Sequence, residues 1–342
     1  MGRVLVTGGG GFIGSHLARF LHQQGHFVRT ADIKYDGYIH QDYCDERLFL
    51  DLRVRENCLK ATENIDKVYN LAANMGGIGF ISTVKAQIMR DNILINTNML
   101  ESSRINNIGR YLFTSSACVY PTFLQTDADV TGLCEEDVYP ASPDNYYGWE
   151  KLYTEKMCEA YQQDYGMNIR ILRYHNIYGP EGTYDGGREK SPAALCRKVI
   201  EATNPGSIEI WGDGKQSRSY CYIDDAVEAT TLLMESNFNK PLNIGSDRLV
   251  TINQLADMII SISGKQITKK YNLTAPQGVR GRNADLTLMK KTLDWKPRFT
   301  LEDGLMRTYY WIKGQINRKT APSQPRRIEP MLKTSSKLGA KM

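Results

Sequence analysis

Arg3-Val4-Leu5-Val6-Thr7-Gly8-Gly9-Gly10-Gly11-Phe12-Ile13-Gly14 is the stretch from which the fold is read. Its first five residues make a short, nearly continuous apolar run, as a parallel strand buried on both faces requires. Gly8, Gly11 and Gly14 follow at G-x-x-G-x-x-G spacing, and Leu17, Phe20 and Leu21 continue at helical period. A strand, a glycine turn and a helix in this order bring backbone N–H groups up to a pyrophosphate, with Phe12 and Ile13 beside it. A second strand over 26–31 ends in Asp32, about twenty residues past the glycines, where a carboxylate accepts from a ribose 2′-OH and repels a 2′-phosphate. NAD is therefore expected, and NADP disfavoured.

Working outward, 48–50 reads as a third short strand, and Asp51 and Leu52 stand at its end, where a side chain can meet adenine. Residues 67–73 read as the fourth strand, with Leu71, Ala72 and Ala73 at its carboxyl end. Ligands of open α/β sheets bind at carboxyl ends of strands, so these residues are candidate cofactor walls. Gly76, Gly77 and Gly79 read as a flexible loop suited to close approach of a substrate. A helix over about 85–105 leads to a fifth strand, 110–114, with Ser116 and Cys118 just beyond it. A further helix carries Tyr147 and Lys151 and runs to about 165. Four residues apart, they share a face one turn apart, where an ammonium can lower the phenol's pKa. Alone, that spacing more often marks a surface Tyr lying on a Lys stem.

The fold class is thus α/β: a Rossmann-like doubly wound parallel sheet with a smaller mixed α/β substrate domain. Residues 1–178 are expected mainly to bind cofactor and 179–315 mainly to bind substrate, with the chain crossing between the two more than once. Of 342 residues, 41% are hydrophobic and 24% charged, ample for a large core. The formal charge of +5 is uneven. From Arg318 onward seven basic residues stand against Glu329, so this end carries +6 and the rest −1. A solvated, disordered tail over 316–342 is the simpler reading; a polyanion-binding arm is the alternative, and nucleic acid is not an expected partner. The seven cysteines are scattered without C-x-x-C pairing, so neither a metal site nor a disulfide framework is expected. With no run of membrane-spanning length and no leader pattern, a cytoplasmic protein is expected.

With the glycines, Asp32, Ser116 and the Tyr147/Lys151 pair in this order, the chain resembles the extended short-chain dehydrogenase/reductase superfamily. Within it, the resemblance is to the GDP-mannose 3,5-epimerase family. It is carried by Asn70-Leu-Ala-Ala73, Met75-Gly-Gly-Ile-Gly-Phe80, Ser115-Ser-Ala-Cys-Val-Tyr-Pro121, Arg173-Tyr-His-Asn-Ile-Tyr-Gly-Pro180, Gly186-Gly-Arg-Glu-Lys-Ser-Pro192, Trp211-Gly-Asp-Gly-Lys-Gln-Ser-Arg-Ser219 and Gly278-Val-Arg-Gly-Arg-Asn-Ala-Asp285. Asn74 departs from the family's usual Asp.

The resemblance implies transient oxidation of a GDP-sugar at C4 by bound NAD, inversion at C3 and C5, and re-reduction. Tyr147 would take the C4 hydroxyl proton, Lys151 would lower its pKa and hold the nicotinamide ribose, and Ser116 would bond the developing oxyanion. Cys118 as base and Lys190 as acid are implied by the resemblance alone, as are substrate contacts from Asn176, Glu189, Lys198 and Gln216, and a homodimer. Cys118 is expected on an extended strand end, facing the same way as Ser116. Arg218, Arg280 and Arg282 are candidates for the diphosphate, since guanidinium forks match phosphate oxygens. His175 reads as a packed histidine, and Asp224-Asp225 as a helix cap. A nucleotide-sugar 4-epimerase remains the alternative; it needs neither Cys118 nor Lys190. A 4,6-dehydratase would carry an Asp-Glu pair at 117–118. A non-catalytic NAD-binding protein would show a broken Ser/Tyr/Lys set.

Overall fold

The structure, a computed structural model, describes residues 2–35 and 43–320. β1 (Arg3–Thr7), β2 (Phe27–Asp32) and β3 (Glu46–Phe49) form one half of a parallel sheet, and β4 (Lys67–Asn70), β5 (Arg110–Ser116) and β6 (Ile169–Tyr174) the other. They are linked by α1 (Phe12–Gln23), α2 (Arg55–Thr62), α3 (Ile78–Thr83), α4 (Lys85–Ile105) and α5 (Tyr146–Tyr165). Then follow β7 (Ile177–Tyr178), α6 (Ser191–Glu201), β8 (Gly206–Trp211), β9 (Ser217–Ser219), β10 (Cys221–Tyr222), α7 (Ile223–Glu235) and β11 (Pro241–Ile244). β12 (Leu249–Thr251), α8 (Ile252–Ser263), β13 (Ile267–Asn272), β14 (Gly281–Arg282), α9 (Thr287–Leu293) and α10 (Leu301–Thr320) complete it.

β11 returns to the central sheet beside β6, giving seven strands in the order β11-β6-β5-β4-β1-β2-β3. Strand order reverses between β1 and β4, and the crevice at their carboxyl ends is where such sheets bind ligands. The apolar runs sort by alternation. Leu5, Val68, Tyr111, Phe113, Ile169 and Ile171 face one layer, while Val4, Val6, Tyr69, Leu112 and Leu172 face the other. Outside this sheet lie the small ladders β12-β9-β14, β13-β8 and β10-β7.

Several local expectations are corrected. β4 ends at Asn70, because the N–H groups of Leu71 and Ala72 donate to the Thr7 hydroxyl, both at 3.0 Å, instead of to a neighbouring strand. The glycine run is not simply a loop: Gly77 caps α3 with its carbonyl accepting from Phe80 and Ile81, and Gly79 lies in the first turn. α7 begins at Ile223, so Asp224 and Asp225 lie in its first turn and do not cap it. Asp225 accepts from the N–H groups of Arg298 and Phe299 at 3.1 and 3.0 Å, fixing the lead-in to α10. α10 itself runs to Thr320, five residues into the stretch read as tail, because Leu305, Tyr309, Ile312 and Ile316 keep one face on the core. The remainder of that tail lies outside the described residues.

Candidate active site

A cavity of about 730 Å³ opens at the carboxyl ends of β1 and β4. Gly8 sits at φ +68°, the left-handed region that favours glycine, and its carbonyl accepts from Gly11 N–H at 2.9 Å. A Cβ on Gly14 would stand 2.1 Å from that same carbonyl, so the helix starts this close to the turn only with glycine there. Asp32 closes the far side, accepting from Gly10 N–H at 2.9 Å. Burial pushes its pKa up, and the loop N–H groups pull it back. This cradle of backbone donors with an acid beyond it fits a dinucleotide with an unmodified ribose. Gly8, Gly11, Phe12, Ile13, Gly14, Asp32, Asp51, Leu52, Leu71, Ala72, Ala73, Tyr147 and Lys151 all line this one cavity. The Asp51 carboxylate is already engaged by a bidentate Arg53, which holds it below the usual range.

Ser116 is the last residue of β5, and the chain turns immediately after it. Ala117–Val119 is a 3₁₀ turn, with Cys118 N–H donating to Ser116 Oγ at 3.2 Å. The extended geometry expected for Cys118 is therefore replaced by a hydroxyl-capped turn, a competition serine wins readily at strand ends. The N-terminus of α5 presses on this turn: Asn145 caps Gly148 N–H at 2.9 Å, and a Cβ on Gly148 would stand 2.1 Å from the Cys118 carbonyl. Tyr147 is thereby set near Ser116.

The charge relation expected between Tyr147 and Lys151 is also corrected. Burial pushes the Tyr147 phenol well above its ordinary value; Glu150 and Cys118 add to this, and only the Ser116 hydroxyl opposes it. Lys151 is buried beneath the rings of Phe113 and Tyr147, its Nζ 4.9 and 5.5 Å from their centroids. Burial lowers its pKa, and Glu150, 3.8 Å away, is the largest opposing influence.

A second cavity, of about 290 Å³, shares Met75, Gly76, Ser116, Tyr174 and Lys190 with the first. Cys118 and Lys190 both line it. Arg282 Nη1 donates to Cys118 Sγ at 3.3 Å, and its Nε to Gln125 at 2.5 Å. Lys190 stands at the N-cap of α6; burial lowers its pKa, with the neighbouring Cys118 opposing. Asn176, Glu189, Lys198, Gln216 and Arg218 line the same cavity. Glu189 and Gln216 each keep one buried oxygen without a hydrogen-bond partner among the described residues. Among the described residues Arg218 donates to the carbonyls of Ser217, Gln277 and Val279, and burial brings its pKa down to about 10. Arg280 is not brought to the cavity: its guanidinium is taken by Asp213 at 2.8 and 3.0 Å. His175 is buried, its Nε2 at 3.1 Å from Asn243 Oδ1.

Sequence reasoning missed Glu150 and its partners Asn92 and Asn96 on α4, and Arg188, whose guanidinium lies 3.7 Å from the centroid of the Phe80 ring. A signal existed for the first group. Two asparagines four apart on an otherwise inward-facing helical stripe need a polar partner.

Three comparisons bear on this geometry. The model of the NAD dependent epimerase/dehydratase family matches residues 4–245. The chain is 48% identical over 320 residues to GDP-mannose 3,5-epimerase of Arabidopsis thaliana, covering 93% of this chain and 84% of that one. It is 28% identical to GDP-L-fucose synthase of Escherichia coli K12, covering 91% and 96%. Among solved structures, UDP-glucose 4-epimerase of Thermotoga maritima with UDP-glucose superposes at a TM-score of 0.83 with 28% identity, covering 92% of this chain and 99% of that one. UDP-glucuronic acid 4-epimerase of Bacillus cereus, in complex with UDP-glucuronic acid and NAD, gives 0.79 with 26% identity, covering 92% and 99%.

Proposed function

This chain belongs to the NAD dependent epimerase/dehydratase family, and from that premise we propose that it inverts C3 and C5 of GDP-mannose, giving GDP-L-galactose, with GDP-L-gulose as the product of inversion at C5 alone. The observation that carries this reading is the shared cavity wall: Cys118 and Lys190 line a pocket that shares Ser116 and Lys190 with the cavity lined by Tyr147 and Lys151. A 4-epimerase has no use for the first pair. NAD, which the glycine turn, Asp32 and Lys151 would hold, would supply a hydride acceptor regenerated at the end of the cycle and a positive ring charge.

Tyr147 takes the C4 hydroxyl proton and Ser116 donates to the oxygen left at C4. A ketone at C4 acidifies the hydrogens on C3 and C5. Cys118 removes one, and Lys190 delivers a proton to the opposite face of the enolate. Before the second carbon is inverted Cys118 releases its proton to solvent and Lys190 is reprotonated from it, and at the end Tyr147 returns its proton to the C4 oxygen. Residues 1–178 mainly hold the cofactor and 179–315 mainly the nucleotide sugar. Asn176, Glu189, Lys198 and Gln216 contact the GDP-sugar, and Arg218 and Arg282 face its diphosphate. Arg280 joins them only by leaving Asp213.

The working unit is a cytoplasmic homodimer. In support, Tyr146, Trp149 and Tyr153 repeat at helical spacing on α5 and are 52%, 42% and 54% exposed, with exposed Leu94 on α4, the helix packed beside α5. No helix among the described residues is long and apolar enough to cross a membrane.

The test is incubation of the NAD-loaded protein with GDP-mannose in D₂O. Deuterium at C3 and C5, with NAD not consumed, is expected. Absence of incorporation while other NDP-sugars are converted would overturn the assignment. Cys118→Ala is expected to abolish exchange at both carbons while leaving NAD bound; undiminished exchange would identify a different base.

A further inference from the structure

Glu150 precedes Lys151 on α5 and is completely buried. Its two oxygens end two chains of side-chain hydrogen bonds, and the direction of each chain is fixed by a group that can only donate. The first begins at the backbone N–H groups of Leu71 and Ala72, which donate to Thr7 Oγ1. The Thr7 hydroxyl must then donate onward, to Asn70 Oδ1 at 2.8 Å. Asn70 Nδ2 donates to Asn96 Oδ1 at 3.0 Å, which turns the Asn96 amide N–H toward Glu150 Oε2 at 3.4 Å. The second begins at Asn74 N–H, which donates to Asn92 Oδ1 at 2.6 Å. Asn92 Nδ2 therefore points to Glu150 Oε1, at 2.9 Å.

Amide orientations usually have to be assigned, but backbone donors at the head of each chain leave no alternative here. Both Glu150 oxygens accept amide N–H groups, an arrangement that favours a carboxylate over a carboxylic acid, which must also find an acceptor for its own proton. A buried carboxylate needs a cation. Lys151 Nζ, 3.8 Å from Oε1, is the cation the fold supplies.

The other charges nearby are committed elsewhere. Glu155 is held by Arg173 and Ser115, and Asp91 on α4 by Arg53 and Arg90. Cys118 faces Arg282, and Cys158 on α5 is a buried thiol whose pKa burial drives up. We propose that Glu150 is a positioning residue for the reaction: it is the counter-ion that keeps Lys151 an ammonium, and its two amide chains fix that ammonium relative to the cofactor wall at 71–74. The proposal rests on the reading of Tyr147 and Lys151 given above. Burial pushes Glu150 up and Lys151 down, and each is the largest influence opposing the other's shift, so removing either leaves the other's shift unopposed by its nearest partner.

Glu150→Gln removes the charge and keeps the shape and one acceptor. In the full chain with NAD bound, competitive acetylation of amines followed by mass spectrometry reads the proton affinity of Lys151 without any sugar substrate. The Lys151 amine is expected to become reactive about one pH unit or more lower in E150Q than in the parent. With substrate, the alkaline limb of the kcat–pH profile should move down by the same amount while KM is held. Glu150→Asp keeps the carboxylate and should restore both toward the parent. An unchanged Lys151 titration in E150Q overturns the proposal, as does an equal loss of kcat at every pH. Failure of the sugar assignment leaves the acetylation result intact, so the two readings fail separately.

Discussion

At the scale of single residues, the chemistry depends on burial more than on sequence spacing. Tyr147 and Lys151 stand one turn apart as the four-residue spacing requires, yet the phenol is pushed up, not down, because burial dominates and the charges of Glu150 and Cys118 add to it. The rate should therefore rise with pH on the acid side. Lys151→Met, which removes the ammonium beside the phenol, should shift that limb to higher pH and lower kcat by roughly 10²-fold or more. His175 offers a residue-scale prediction for stability. Burial drives its pKa down to about 3, its Nδ1 has no hydrogen-bond partner among the described residues, and Arg282 and Arg173 oppose a charge on it. Between the ordinary value of 6.5 and about 3, the unfolded chain binds the proton and the native state does not, so stability falls as pH falls. The group should cost about 2 kcal/mol at pH 5 relative to pH 8. Denaturant unfolding at both pH values should show this difference in the parent and lose it in His175→Gln.

At the scale of elements, the sequence was most legible where periodicity and punctuation agree. β1, the glycine turn and α1 follow from a strand-length run, G-x-x-G-x-x-G and a 3.6-residue period. α4 and α5 end where read, at Ile105 and Tyr165, the latter before Gly166 in the left-handed conformation. What escaped reading was set by contacts distant in sequence. α3 forms inside a glycine-rich run because Gly77 N–H donates to the Arg188 carbonyl at 3.0 Å, while the Arg188 guanidinium donates to Asn74 Oδ1 and the Met75 carbonyl. No local propensity announces this. It does position Lys190, two residues after Arg188. A Cβ on Gly77 would stand 2.2 Å from the Glu189 carbonyl, so Gly77→Ala must part the two segments. Deuterium exchange at C3 and C5 should fall at least 10-fold while NAD stays bound, since the glycine turn after β1 is untouched. Equal loss of NAD and exchange would mean that the contact supports the fold and not the acid's placement.

At the scale of the whole molecule, two surfaces lie outside the chemistry, and each predicts something separable. The aromatic row of α5 should be covered by a second copy of the chain. Trp149→Glu together with Tyr153→Lys should shift the protein from dimer to monomer in analytical ultracentrifugation, and a dimer that persists would place the contact elsewhere. The carboxyl end tests how far the folded body extends. Composition alone put the boundary near 316, where basic residues begin to dominate. The structure carries the folded body at least to Thr320, because Ile316 packs on the core and Lys319 pairs with Asp185 at 3.0 Å. A chain ending at Thr320 loses five basic residues and one acid, yet every cavity-lining side chain named above lies between Gly8 and Arg282. It should turn over at the parent rate and melt at the parent temperature. A chain ending at Gln315 loses the Ile316 contact and the last turn of α10, and should melt several degrees lower, in line with about 1 to 2 kcal/mol for one half-buried aliphatic side chain. If the shorter deletion alone impaired turnover, the basic segment would have a role in the reaction that its charge does not explain.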